Sequence, residues 1–545
     1  MYIVDVRLKS PTFEIVRQTT QELSKQYGIN CHTTLSKSLT CAIENKLRRM
    51  ALDHDGGSGI FVTSKDFVLE GQGSIEINAT PTQAQISIVR SLIKVVLHQM
   101  DNGNYKLTEG QENLLVSLCV ESLQVEVIVP DTTFHESQMT MAEEVAQVLN
   151  ASPSAKIRND GEEQGDFSIK CYCCLKYGEL GSEAYKIVDD FDKIDIKEPS
   201  IMGSDDESTL VSIHPTLPNV SISAETMAQS KVQLLPSSEY EGLWESLHFE
   251  DNIKQKLYGY ATISLKLSKF SQKKISSTMI SNNKLLLVHG PPGTGKTTAC
   301  KALCQKLAIR HSGETDNIFE ASDRQAILVE LSCSKVFSRW FGESAKNLDR
   351  IFQDVEDLLN NKTIKERFVC LLIDEVETLA LSRSSSMNKN ESTDGMRVVN
   401  TLLTRLDGLK RYNNLLILAT SNLVTALDPA FLDRADGVFY VGKPSENGTS
   451  EILYSTIREL IKNGVIISHV CNTPAIDEEE IRSSIRQIAR QCVTSGISGR
   501  TLRKLPLICL SEHHLSSLPV TIRDFMLALA LTVHRFHTFP NDESS

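Results

Sequence analysis

The stretch GPPGTGKTT, Gly290–Thr298, constrains this chain more than any other. It fits G-x-x-x-x-G-K-[ST], directly after the apolar run LLLVH and directly before TTACKALCQKLAIR, which reads as a helix. A strand, a glycine-rich turn and a helix in that order form a cradle of backbone N–H groups at a helix N-terminus, where a phosphate chain is favoured. Gly290, Pro291, Pro292, Gly293, Thr294, Gly295, Lys296, Thr297 and Thr298 are the residues of that cradle. Gly293 and Gly295 let the backbone wrap inward. Lys296 brings charge to the β- and γ-phosphates, and Thr297 offers a hydroxyl to Mg²⁺. The expected ligand is ATP with Mg²⁺.

The residues after Lys284 support a sheet around that loop. LLLV, ILVELS, FVCLLID and LLILATS are short apolar runs separated by helical segments. They are long enough only for buried strands, which predicts a parallel sheet covered on both faces. CLLIDE, Cys370–Glu375, ends one such strand on two carboxylates. Asp374 is placed to hold the metal with Thr297, and Glu375 to activate water as a general base. After Lys443 the pattern is mostly helical, which predicts a smaller C-terminal domain.

The N-terminal half reads differently. The net charge of −12 is split into about −17 over residues 1–250 and about +5 over the rest, so the acidity is N-terminal and gives no support to nucleic-acid binding through the surface field. Thirteen cysteines lack framework spacing, and the start MYIVDVRLKS lacks the apolar run of a signal peptide. Together these predict a reduced intracellular protein. FMLALALTV, Phe525–Val533, is too short to cross a bilayer, so no membrane association is expected. Five segments are expected: an extension of unknown fold over 1–120, an α+β recruiting domain over 121–195, a Ser/Pro/acid-rich flexible linker over 196–235, the large ATPase domain over 236–442 and the helical lid over 443–545. MAEEVAQVLNA, Met141–Ala151, reads as a helix of the second.

Beyond the phosphate loop, several positions resemble the AAA+ ATPases. LLILATSN resembles the sensor 1 strand, which implies that Asn422 sits beside the γ-phosphate and the lytic water. LDPAFLDRADG resembles the second region of homology, which implies that Arg434 reaches a neighbouring subunit's ATP as an arginine finger. The common form of that region carries two arginines; here Asp433 and Asp436 flank one, and a surface ion pair is the other reading of Arg434. GISGRTLRKLP resembles sensor 2, which implies that Arg500 reaches the phosphates from the lid. The implied fold is α/β: a parallel-sheet P-loop domain plus a helical lid, preceded by α+β N-terminal domains.

VFSRWFGES holds Trp340, Phe341 and Gly342 between the two nucleotide strands, where protein remodellers of this class carry an aromatic loop facing the channel of a hexamer. Aromatics there grip a polypeptide by packing, whereas a DNA channel calls for Lys or Arg. Ser382–Gly408 begins as a polar loop, either a second pore loop or a simple insertion, and ends as an amphipathic helix. With YEGLWESLHFEDNIK, IDEVETLALSR, MRVVNTLLTRLD, FLDRADG and TIRDFMLALALTV, the combination is similar to the pachytene checkpoint protein 2 family, as a fungal-type member with an N-terminal extension.

That resemblance implies a homohexamer that remodels HORMA-domain proteins, with an adaptor as an optional partner. It places the chain in the nucleus on meiotic chromosomes, indirectly bound to chromatin, in the recombination checkpoint and in regulation of the chromosome axis. The alternatives are a nucleic-acid-directed AAA+ ATPase of the clamp-loader or helicase kind and a ring that uses ATP only to assemble a scaffold. Cys171, Cys173 and Cys174 lack the spacing of a zinc site, and NKLRRM, Asn45–Met50, reads as a solvated basic helix face. Trp244 is expected to anchor its segment onto the ATPase domain.

Overall fold

The computed structural model describes residues 2–27, 31–49, 60–63, 82–101, 108–127, 167–174, 210–212, 221–250, 252–271, 282–311, 326–336, 343–361, 364, 367–380, 389–467, 478–513 and 518–538. They fall into two compact units. One holds the described residues through Cys174, and the other holds those that follow.

The first unit is built from β1 (Tyr2–Leu8), α1 (Ser10–Tyr27), α2 (Cys31–Arg49), β2 (Ile60–Thr63), α3 (Gln83–Asp101), α4 (Glu109–Cys119), β3 (Val120–Val127) and β4 (Phe167–Tyr172). Its sheet runs β2-β3-β1-β4. β3 lies antiparallel to β1, from Tyr2 opposite Val127 to Leu8 opposite Val120, and β4 lies parallel to β1. The boundary expected at 120/121 is therefore corrected, because it would strip β1 of the strands on both its edges. β1 can satisfy its backbone only by pairing with segments more than a hundred residues away. Val4, Val6, Leu35, Ile43, Ile93, Val116 and Leu123 bury the helices against this sheet. In the basic run on α2, Arg49 is ion-paired within the unit: it contacts Glu109 at 2.8 Å and Glu112 at 3.0 Å.

The second unit opens with β5 (Leu210–Ser212) and β6 (Ser221–Ser223), then α5 (Ala224–Gln229) and β7 (Ser230–Leu235). α6 (Ile253–Ser271), β8 (Leu285–His289), α7 (Lys296–His311), β9 (Ala326–Ser332), α8 (Cys333–Val336), α9 (Glu343–Asn360), β10 (Val369–Asp374), α10 (Lys389–Leu409), β11 (Leu415–Ser421), α11 (Pro429–Leu432) and β12 (Gly437–Tyr440) follow. The sheet order is β12-β8-β11-β10-β9-β7, parallel except for β7. The four apolar runs are β8, β9, β10 and β11, with side chains buried on both faces. β7 corrects the flexible-linker expectation over its own span. It pairs antiparallel with β9 and sends Leu234 into the core on one face of the sheet and Leu235 into the core on the other. Trp244 is buried with Leu247 and Leu257 under a charge–π contact from Lys254, 5.6 Å from the ring centre.

Register brings the chemistry to one edge. Asp374 lies opposite Ser332, Ile373 opposite Ala419 and Ser421 opposite His289, so the loops after β8, β10 and β11 leave the sheet side by side. The lid consists of α12 (Glu446–Lys462), α13 (Glu478–Thr494), α14 (Gly499–His513) and α15 (Ile522–Thr538), with the two-residue pair β13 (Ile466–Ile467) and β14 (Val520–Thr521). Leu453, Ile457, Ile485, Leu502, Leu505, Phe525 and Leu529 fill its core. No helix among the described residues is long and apolar enough to cross a membrane.

Candidate active site

A cleft of about 440 Å³ lies between the sheet edge and the lid. Its floor is the loop after β8. Gly290, Gly293 and Gly295 have φ of 151°, 75° and 95°, in the region that side chains resist. Gly290 also has no room for a Cβ, which would stand 2.0 Å from the Val441 carbonyl oxygen. Glycine here is a requirement of both conformation and space. Lys296 folds over the loop, its Nζ donating to the carbonyls of Gly290 at 2.9 Å and Pro291 at 2.7 Å. Thr294 Oγ1 donates to Pro291 as well, at 3.0 Å. Burial lowers the Lys296 pKa, while Glu377 and Asp374 act against that shift.

β10 delivers Asp374 to the start of α7. Thr297 Oγ1 donates to Asp374 Oδ1 at 2.7 Å, and Thr420 donates to the same oxygen. A hydroxyl and a carboxylate in contact, beside a lysine and a loop of backbone N–H groups, form an oxygen set that suits a hard cation and a phosphate chain. These residues fit Mg²⁺ and ATP. Glu375 follows in a left-handed backbone conformation, φ 56° and ψ 49°, which costs a non-glycine residue about 1–3 kcal/mol. Its N–H is held by Thr420 Oγ1 at 3.1 Å and its carbonyl by the Thr378 N–H at 3.0 Å. This turn leaves the Glu375 side chain exposed on the cleft lining. Asn422 lines the cleft from the end of β11, and Gly290 N–H donates to the Ser421 carbonyl beside it.

The lid closes the cleft by direct contact with the loop. Arg500 N–H donates to the Gly293 carbonyl at 3.0 Å, and a Cβ on Gly499 would lie 3.2 Å from that oxygen. Arg500 and Arg503 both line the cleft, and Arg503 donates to Ser246 Oγ at 3.1 Å and to its carbonyl at 3.2 Å. Arg434 lies elsewhere. Its guanidinium forks onto Asp407, Nε at 3.1 Å and Nη2 at 2.8 Å, and Nη1 donates to the Ala430 carbonyl at 2.7 Å. The hydrogen bond with Asp407 holds the carboxyl low and the guanidinium high.

Thus Pro292 through Thr298, Asp374, Glu375, Asn422 and Arg500 line one cleft, Gly290 and Pro291 join them through the Lys296 ammonium, and Arg434 is absent from the lining. Trp340, Phe341 and Gly342 lie outside the described residues, as does the helix expected over Met141–Ala151. Sequence reasoning missed Thr420, Glu377, Arg503 and the wall at Ser246–Glu250. Thr420 stands two residues before Asn422, and Glu377 three after Asp374, within motifs already in view. The wall lies within YEGLWESLHFEDNIK, a stretch that carries the resemblance but no recognisable nucleotide chemistry.

The sequence model described as "ATPase family associated with various cellular activities (AAA)" matches residues 286–443, and that described as "TRIP13-like, AAA+ ATPase lid C-terminal domain" matches residues 445–537. Fold, cleft and these matches define an AAA+ ATPase, an enzyme that binds and hydrolyses ATP. Along nearly its whole length the chain is similar to pachytene checkpoint protein 2 of Saccharomyces cerevisiae, 41% identical over 98% of this chain and 99% of that one. A homologue in Xenopus tropicalis is 40% identical over 57% of this chain and 70% of its own. The solved structure of C. elegans PCH-2 aligns over 77% of this chain and 86% of that one, with 26% identity and a TM-score of 0.49. The chain belongs to the pachytene checkpoint protein 2 family.

Proposed function

We propose that this ATPase works as a homohexamer that remodels HORMA-domain proteins through a central pore, in the nucleus and on meiotic chromosomes. Its contribution would be to the recombination checkpoint and to regulation of the chromosome axis, with chromatin reached through its partners. Family membership supports the meiotic reading. The assembly reading rests on one observation: Arg434 is turned away from a cleft that otherwise holds every residue hydrolysis calls for.

In this mechanism Lys296 and the N–H groups of the phosphate loop bind and orient the phosphates. Thr297 and Asp374 would hold Mg²⁺, which would supply positive charge to offset that of the phosphates. Glu375 takes a proton from the attacking water, which Asn422 orients. Arg500 reports the γ-phosphate to the lid. Arg434 of the neighbouring subunit supplies the last positive charge, so hydrolysis is coupled to assembly. Each turnover changes the lid angle and moves Trp340 and Phe341, and with them the gripped polypeptide.

The test is the ATPase rate with and without a closed HORMA protein, for the full chain and for Trp340→Ala. Stimulation that the variant loses supports protein threading. Stimulation that survives in the variant, or that comes from DNA alone, overturns it in favour of a structural loop or the nucleic-acid alternative.

A further inference from the structure

β10 and β11 are neighbours, and the turns that leave them touch through one side chain to which the sequence assigns no role. Glu377 Oε1 accepts two N–H groups from Asn422, the backbone N–H at 3.0 Å and the side-chain Nδ2 at 3.0 Å. Glu377 is not part of the cleft lining, whereas Asn422 is. The second oxygen, Oε2, is buried and has no hydrogen-bond partner. An amide has two unlike edges, and a carboxylate can accept only from the nitrogen edge. Glu377 therefore selects the orientation of Asn422 and leaves Oδ1 as the edge available to a donor in the cleft.

We infer that Glu377 is a positioning residue for ATP hydrolysis, locking the Asn422 amide so that its Oδ1, and not its Nδ2, meets the attacking water. A water molecule losing a proton to Glu375 has a second O–H to place, and an amide oxygen fixed nearby accepts it. With Glu377 absent, the amide turns between two states and only one aligns the water. Glu377 acts behind Asn422, so its removal lowers turnover and leaves ATP binding in place. The inference rests on the assignment of Asn422 to the lytic water, and the two can be tested apart.

The experiment measures kcat and KM for ATP on the full chain with Mg²⁺, for Glu377→Ala, Glu377→Gln, Asn422→Ala and the Glu377→Ala/Asn422→Ala double variant. Glu377→Ala is expected to lower kcat roughly tenfold with KM within about twofold. Glu377→Gln keeps an oxygen that can accept both N–H groups and is expected to recover most of the loss. The double variant is expected to be no slower than Asn422→Ala, because a residue acting through another adds nothing once that other is gone. Glu377→Met keeps the side-chain volume without either oxygen and runs through the same cycle if the alanine variant fails to fold. Slowdowns that multiply in the double variant, or a raised KM at unchanged kcat, overturn the inference and assign Glu377 to Lys296 or to the fold instead. Wild-type kcat in Asn422→Ala overturns the assignment of Asn422 itself, and the inference with it.

Discussion

Lys284 shows how much a single buried charge can reveal. It stands immediately before β8 at φ 57°, is 2% exposed, and donates its Nζ to the Lys410 carbonyl at 2.6 Å. Burial pushes its pKa down to about 8 from 10.5, with Asp436 acting against the shift. Between those values the unfolded chain holds a proton that the folded chain does not, so this group makes stability rise with pH across that window. Below about pH 8 both states are protonated and the cost of the buried ammonium is fully present. The stability of the parent minus that of Lys284→Met, from urea unfolding, should climb between pH 8 and 10.5 by up to about 1.4 kcal/mol per pH unit. A flat difference would mean that Lys284 keeps its proton through the window. The strained turn at Glu375 is a different kind of residue-level signal. The chain holds a left-handed conformation there with Thr420 and Thr378, which aims the carboxylate at the cleft and not along the strand.

β7 and the Arg434 turn carry the lessons of the elements. Leu234→Ala should destabilise the ATPase unit by about 2–3 kcal/mol in a denaturant titration, since Leu234 is buried in the sheet core. A flexible linker would lose nothing. Arg434→Ala should lower ATP turnover by about a thousandfold while nucleotide affinity, read by fluorescent-nucleotide titration, stays near that of the parent. An equal loss in affinity would place Arg434 in its own subunit's site. The phosphate loop and the four buried strands were legible because their signals are local: a turn motif between a strand and a helix, or an unbroken apolar run. β7 was hidden by the Ser/Pro/acid-rich stretch around it, and β12, Gly437–Tyr440, is four residues long on an edge, with too few buried positions to show a pattern. The joining of β1 with β3 and β4 depends on pairing across 112 to 165 positions, which no local window contains. Glu377 and Thr420 stand within visible motifs, yet their partners are fixed only when two strands become neighbours.

The whole ATPase unit turns on a narrow contact between lid and loop. At Gly293 an added Cβ would meet Ser498 Oγ at 2.9 Å and Arg500 Cβ at 3.3 Å, with φ already at 75°. Gly293→Ala should therefore push the lid away as well as strain the loop, weakening ATP binding by at least about tenfold in the same fluorescent-nucleotide titration. Intact affinity would mean the lid can retreat without disturbing the phosphates. The hydrogen bond from Arg500 N–H to the Gly293 carbonyl joins residues 207 positions apart, and it makes lid angle and nucleotide affinity two readings of one free energy. Such linkage runs both ways. If bound ATP tilts the lid, then a load that tilts the lid must, by the same amount, change how tightly ATP is held. Any pull on the lid would thus act on this enzyme as an allosteric effector, tightening or loosening its hold on nucleotide without ever touching the cleft.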